Sequence, residues 1–179
     1  MRKNILLSIS IICFLFSFVA MARSIVYAND YVLYSVVGRG DNDTPIQTAS
    51  YGTHGSISIP EVRYAMALDD AYADSEGQKV VDRKDRAAYI WYGDMPWIAD
   101  HNVDGFNVMG GAVPGKTKAY ISYADGSTET YLCTDNYIGL NTGLEILDPD
   151  GNTILGHDLG MYTCTWDPQH VRITLWKRI

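Results

Sequence analysis

The stretch 159–178, LGMYTCTWDPQHVRITLWKR, predicts two extended segments joined by a short turn. Residues 159–165 and 171–178 are rich in β-branched and aromatic side chains, which favour strands. The WDPQ sequence between them, at residues 166–169, has the aspartate and proline that are typical of a turn. We therefore expect this stretch to form two neighbouring strands.

Both strands carry a side chain suited to chemistry. Cys164 stands near the end of the first strand, and Arg172 lies inside the second, eight residues later. Acyl transfer through a thiol needs a proton carrier and a group that stabilises the developing anion. Alternation puts Arg172, Thr174 and Trp176 on one face of the second strand and the aliphatic residues 171, 173 and 175 on the other. We expect the aliphatic face to be the core face, which directs Arg172 to a groove or, more simply, to solvent.

The chain has four candidate proton carriers, and their spacing does not choose among them. His54 lies in an irregular segment, His157 and His170 flank the cysteine, and His101 follows the apolar patch at residues 96–98. A reactive thiol needs such a base or a cation to raise its thiolate population. An isolated histidine is more often an ordinary surface residue, so the choice stays open at this point.

The cysteine count leaves other interpretations of Cys164. Cys13 lies in the N-terminal apolar run, so an exported chain keeps only Cys133 and Cys164. In an oxidising compartment two cysteines most simply form one disulfide, and a buried, inert thiol is the other plain alternative. A site of two cysteines and two histidines lacks the paired short spacings of a zinc knuckle, so the sequence gives little support for a metal.

Residues 1–28 have the pattern of an export signal. Arg2 and Lys3 precede an apolar run of 16 residues and small-residue cleavage sites at 20–22 and 26–28. The run is shorter than the roughly 20 residues that span a bilayer, so a retained N-terminal anchor is the second interpretation. Cleavage after Ala28 leaves 11 basic and 21 acidic residues, a net charge of −10, which argues against nucleic acid and anionic lipid as partners.

The remaining patterns predict one mostly β domain. We assign residues 29–56 to a linker or irregular arm and residues 57–179 to the domain, whose first strand ends at Pro60. Residues 116–133 predict a hairpin and residues 148–152 a turn, while helical signal is confined to short pieces within 69–86 and 141–147. Short strands with turns between them predict a barrel or sandwich with short helical insertions.

These segments together resemble the sortases, a family of cysteine transpeptidases that anchor surface proteins. ISIPEV at residues 57–62 resembles the opening strand of the family, and IADH at 98–101 resembles its IAGH segment with the catalytic histidine. VPGK at 113–116 resembles its PGD turn, and GMYTC at 160–164 stands where sortases have TLxTC. The likeness covers residues 57–178, with Asp100 in place of a glycine and Gly160-Met161 in place of Thr-Leu.

The resemblance implies an eight-stranded sortase-like β-barrel and a set of site residues. Cys164 would be the nucleophile, His101 the acid and base, and Arg172 the essential arginine; Tyr162, Thr163 and Trp166 would contact the substrate. The substrate would be an LPxTG-like sorting motif of a secreted protein, and the acceptor an amine from a cell-wall precursor or a pilin. The implied location is secreted or at the outer face of the membrane in a Gram-positive envelope. This chemistry needs no metal or organic cofactor.

Two other functions fit the same sequence. A catalytically silent, secreted peptide-binding module would use the 13 tyrosines and four tryptophans as a binding surface, and would tolerate a disulfide between Cys133 and Cys164. A hydrolytic cysteine peptidase would use water as the acceptor. An added amine distinguishes the last from a transpeptidase, because only transfer yields an amide adduct.

Overall fold

The computed structural model describes residues 51–103, 105–143 and 145–179. The predicted export signal, and the predicted arm except its last six residues, lie outside the described residues. Within these residues nine strands follow in chain order: β1 Gly55–Ile59, β2 Tyr64–Ala71, β3 Arg86–Tyr92, β4 Met95–Ala99, β5 Lys118–Ser122, β6 Thr128–Asn141, β7 Ile146–Leu147, β8 Leu159–Cys164 and β9 His170–Arg178. In the same described part of the chain, one α-helix, α1 at Asp74–Val81, and two 3-10 helices, at Pro60–Val62 and Phe106–Gly111, interrupt the strands.

Eight of these strands close into a barrel. Their order is β5-β1-β2-β3-β4-β8-β9-β6, and β6 pairs back with β5 to complete the ring, while the two-residue β7 extends the far end of β6. The β2–β3 and β4–β8 pairs are parallel, and the others are antiparallel. The predicted eight-stranded barrel with short helical insertions is therefore confirmed.

The predicted local elements have mixed outcomes. The pair at 159–178 is confirmed as antiparallel β8 and β9, and the hairpin at 116–133 is confirmed as β5 and the start of β6. The helix expected within 69–86 is α1. The helical turn expected at 141–147 is wrong: the end of β6 and all of β7 occupy that stretch, joined by a turn in which Thr142 Oγ1 donates to the Glu145 carbonyl.

Two apolar clusters lie on opposite sides of the sheet. The inner cluster draws residues from all eight barrel strands and so fills the barrel interior, with Trp176 fully buried in it. The outer cluster includes Val171, Ile173 and Leu175 and is covered by Val81 of α1. Within the described part of the chain, no helix is both long and apolar enough to cross a bilayer.

These clusters correct the predicted orientation of β9. The aliphatic face does pack, but on the outer cluster, and the face with Thr174 and Trp176 is buried as deeply because it points into the barrel. Alternation of apolar and polar residues identifies one core face only when the other face meets water. Arg172, near the start of β9, is thus on the face that points into the barrel, and it is half-buried instead of exposed to solvent.

Candidate active site

A parallel strand pair brings the thiol and one histidine together. Ala99 at the end of β4 pairs with Tyr162 in β8. Because the two strands run in the same direction, the residues two positions further on, His101 and Cys164, lie at the same end of this pair. Both line a single cavity of about 260 Å³.

The cavity has both apolar and polar lining residues. Helix α1, β4, β8 and the turn between β6 and β7 all contribute to it, and its apolar lining is made by Val81, Ile90, Trp97, Ile146 and Tyr162. None of the lining residues, all of which belong to the described part of the chain, is a lysine or an arginine. The titratable residues of the lining are Asp100, His101, Glu145, Tyr162 and Cys164.

Cys164 is an exposed, free thiol at the last position of β8. Cys133 is also free but buried in the barrel. Cys133 pairs with Trp176 of β9, and Cys164 pairs with Val171 of the same strand. Five positions along a strand correspond to about 17 Å, so these two cysteines are too far apart for a disulfide.

His101 is held from both sides. Its imidazole Nε2 lies 3.4 Å from a carboxylate oxygen of Asp82, directly after α1, and its side chain is 38% exposed. Its main-chain carbonyl accepts a hydrogen bond from Phe106 at 2.8 Å. Asp82 could not be selected from the sequence, because the contact joins residues from separate elements that only the fold brings together.

The other three histidines lie away from this cavity. His54 stacks on Tyr89 with 3.6 Å between ring centroids. His157 Nδ1 is 3.2 Å from the Thr134 hydroxyl, and His170 pairs with Asp167 at 2.9 Å. Among the described histidines, His101 alone lines the cavity with Cys164.

Asp100, the residue before His101, is a buried carboxyl with only 7% of its surface exposed. Its Oδ2 accepts a hydrogen bond from the Tyr64 hydroxyl, and its Oδ1 accepts one from the His101 main-chain N–H, both at 2.7 Å. Burial raises the pKa of Asp100 to about 6, although these hydrogen bonds and the nearby His101 favour the ionised form.

Arg172 lies at the same end of the barrel but is not among the residues that line the cavity. It pairs in register with Thr163, so the two side chains share the inward face of the β8–β9 pair. Its guanidinium donates to the Asn136 side-chain oxygen at 2.9 Å. The Asn136 amide in turn donates to the carbonyls of Met109 and Ala112, at 3.0 and 2.8 Å.

Asn136 was not selected from the sequence, although one signal pointed to it. Asparagine is depleted in strands, and Asn136 sits in the middle of the long strand β6. A polar amide at such a position indicates specific hydrogen bonds. Here the Asn136 side chain bonds to the guanidinium of Arg172 and to a carbonyl of the second 3-10 helix.

The three predicted substrate contacts occupy different environments. Tyr162 is half-buried in the cavity wall, with its ring 5.9 Å from that of Trp97 in an edge-on arrangement. Thr163 lines the cavity, but its hydroxyl donates to the Asp100 carbonyl at 2.8 Å. Trp166 is 93% exposed in the turn after Cys164 and is not part of the lining.

The arrangement can support nucleophilic chemistry on a peptide. An accessible thiol and an imidazole line one cavity, and a guanidinium is held by Asn136 at the same end of the barrel. These are the groups required to attack a carbonyl, move a proton and stabilise an oxyanion. Among the described residues, no three His, Cys, Asp or Glu side chains lie close enough together to hold a metal ion.

Solved structures of sortases have a similar fold. Sortase E1 from Streptomyces coelicolor, solved with a tripeptide in its active site, gives a TM-score of 0.54 at 14% identity over 69% of this chain and 86% of that one. The pilus-related sortase C of Group B Streptococcus gives 0.53 at 18% identity over 74% and 69%. Sortase C-1 from Actinomyces oris gives 0.51 at 14% identity over 69% and 72%.

No protein-family model and no curated protein matches the sequence. The sequence identities to these solved structures are also low, at 14% and 18% for two of them. The likeness therefore lies in the backbone, as a closed barrel of eight parallel and antiparallel strands. The chain therefore has the fold of the sortases and is a divergent representative of that fold.

Proposed function

We propose that this protein is a sortase-like cysteine transpeptidase. The observation that carries the proposal is that His101, which follows β4, and Cys164, which ends the parallel strand β8, line one cavity. The sortase-like barrel supports the same reaction class.

The reaction would proceed through a thioester. The Cys164 thiolate attacks a backbone carbonyl of the bound peptide, and the C–N bond breaks while His101 gives a proton to the leaving amine. An acceptor amine then attacks the thioester and loses a proton to His101. A new amide forms, and the thiolate of Cys164 leaves.

Arg172 would stabilise the developing oxyanion or bind the substrate backbone. A guanidinium has five N–H donors, and the bond to Asn136 uses one of them. A planar donor group held in this way suits an oxyanion or a backbone carbonyl. Asn136 would act as its positioning residue.

The cavity supports an LPxTG-like sorting motif as the substrate. Trp97 and Tyr162 offer an aromatic surface for an apolar or proline side chain, and the absence of basic residues from the described lining gives no preference for acidic peptides. Thr163 shapes the site through its bond to Asp100, and the exposed Trp166 would contact the peptide or its acceptor from the turn.

The partners and location follow from this assignment. The donor would be the C-terminal sorting signal of a secreted protein, and the acceptor an amine of a cell-wall precursor or a pilin. Export through the signal at residues 1–28 would bring the enzyme to the outer face of a Gram-positive membrane, secreted or anchored.

Peptide cleavage with an added amine tests the proposal. We expect the wild type to cleave a labelled LPxTG peptide and to form an adduct with triglycine, while Cys164→Ala and His101→Ala lose at least about a thousandfold in rate, because each removes an essential group. Mass spectrometry identifies the products. His157→Ala, a change of the same residue type outside the cavity, should retain turnover.

The outcomes separate the alternatives. Turnover that persists in Cys164→Ala or His101→Ala rejects the mechanism. Acid product without amine adduct identifies a hydrolytic peptidase. Peptide binding that survives in Cys164→Ala, with no cleavage by the wild type, identifies a binding module.

A further inference from the structure

Asp100 bonds to His101 and to Thr163, the residue before Cys164. Its carboxylate accepts from the main-chain N–H of His101 at 2.7 Å, and its own carbonyl accepts from the Thr163 hydroxyl at 2.8 Å. Asp100 directly precedes His101, just as Thr163 directly precedes Cys164. One residue thus contacts both chain segments that carry the proposed catalytic residues.

The carboxylate of Asp100 is tightly enclosed. The Tyr64 hydroxyl donates to it from β2, and the Tyr64 ring packs against Phe106 with 4.8 Å between centroids. A Cβ at Gly105 would lie 2.7 Å from the carboxyl group, so this side of the enclosure requires a glycine. The surroundings leave the carboxylate little freedom to move.

Charged and titratable groups approach this region from four other elements. Tyr64 comes from β2, and His101 follows Asp100 in the chain. The further groups around His101 and Thr163 are Asp82 after α1, Cys164 at the end of β8 and Arg172 of β9. The interaction between Asp100 and His101 is attractive when both are charged, and it favours the ionised carboxyl.

We propose that Asp100 is a positioning residue that holds His101 beside Cys164 and whose negative charge stabilises the His101 imidazolium and, through it, the Cys164 thiolate. The proposal rests on the proposed function in taking His101 and Cys164 as partners. The only bond change is the transfer of the thiol proton to the imidazole. A glycine at this position, as in the IAGH segment of sortases, supplies neither the hydrogen bond nor the charge.

The alkylation rate of Cys164 by iodoacetamide, measured from about pH 5 to about pH 7.5, tests this. The full-length chain is used, and peptide mass mapping separates Cys164 from Cys13 and Cys133. The comparison is with Asp100→Asn, whose amide keeps an acceptor for the His101 N–H and a donor for the Tyr64 oxygen. We expect equal rates near pH 5, and a wild type that is about three- to tenfold faster at about pH 7.5, where Asp100 is ionised.

Asp69→Asn is the matched control, since Asp69 is also a carboxyl with 7% exposure but pairs with Arg83 and Arg86 away from the cavity. It should react at the wild-type rate throughout. A rate ratio between wild type and Asp100→Asn that stays constant with pH would mean a packing role alone and overturn the proposal. A ratio of one at every pH would overturn it too.

Tyr64→Phe keeps the test decisive if Asp100→Asn does not fold. It retains the carboxylate and removes a hydrogen bond that favours the ionised form, so the pH at which Cys164 becomes reactive should rise. An unchanged pH would contradict the proposal. No peptide substrate is needed, so a failure to cleave sorting peptides would count against the transpeptidase and leave this result standing.

Discussion

The lack of a side chain at Gly160 leaves room for the indole ring of Trp97 to lie close against the sheet beside the cavity. A Cβ at position 160 would meet the indole ring at 2.4 Å, closer than any real contact. Trp97 is 6% exposed and packs in the outer cluster. Gly160 stands where the resemblance to sortases expects threonine, so the ring of Trp97 takes the space that a side chain would fill.

At the scale of this residue, we expect Gly160→Ala to lower the free energy of unfolding by about 1 to 3 kcal/mol, because the new methyl group overpacks a buried ring. Urea unfolding measures the change. Gly111→Ala is the control, since a Cβ there meets only Val62 at 3.4 Å. Equal stability of the two variants would show that Trp97 moves aside without cost.

At the scale of an element, strand β6 provides the residue that holds the Arg172 side chain in place. Asn136 in β6 links the guanidinium on β9 to the carbonyls of Met109 and Ala112 in and after the second 3-10 helix. These bonds join three elements at one barrel end. Removing the Asn136 amide would therefore change the position of the Arg172 guanidinium and leave its charge unchanged.

We expect Asn136→Ala to lower the kcat/KM of peptide cleavage by about tenfold, because a hydrogen bond to a charged group is worth roughly 1.5 to 3 kcal/mol. Arg172→Ala should cost more, and adding Asn136→Ala to it should cost little further, since both changes remove the same interaction. Thr134→Ala in the same strand is the control. If the losses in kcat/KM of the two single variants simply added in the double variant, Asn136 would not act through Arg172.

The elements that local patterns describe were predictable, and those that depend on distant partners were not. The β8–β9 pair was predicted because its strands are neighbours in sequence with a proline-containing turn. The parallel β2–β3 and β4–β8 pairs leave no local signal. The aliphatic face of β9 packs in a core cluster as predicted, but the opposite face, which was expected to be free of the core, is buried as well. Alternation cannot show that both faces of a strand are covered.

The candidate site was predictable only in part, for the same reason. Sequence spacing did not distinguish among the four histidines. The resemblance to sortases selected His101, which lines the cavity with Cys164. Asp82 and Asn136 reach His101 and Arg172 across the fold, so no spacing rule could find them. Asp100 was visible only as a departure from the pattern of the family.

At the scale of the whole molecule, residues before the predicted domain start at Ile57 belong to the packed barrel. Strand β1 begins at Gly55, and His54 stacks on Tyr89 while its Nδ1 lies 2.8 Å from Asp70. Thr53 bonds with Asp69 and Asp70 through its main-chain N–H and its hydroxyl. These contacts lie on strands β2 and β3, so they tie the entering chain to the barrel wall.

We therefore expect a chain that starts at Ile57 to be less stable than one that starts at Tyr51, by about 2 to 4 kcal/mol, because it loses a ring stack and several hydrogen bonds, the one between His54 and Asp70 included. Urea unfolding of the two truncated chains measures the difference, and the longer one is the control. Equal unfolding midpoints would place the domain start at Ile57 after all.

The parallel β4–β8 pair has a consequence for the order of folding. The hydrogen bond between Thr163 and Asp100 spans 63 positions of the chain, and such distant contacts form late because a long loop must close first. Until that closure, the segments that carry His101 and Cys164 stay apart in the chain. The proposed pairing of imidazole and thiol can then exist only in the completed barrel, so any reactivity that depends on the pair would report that folding is finished.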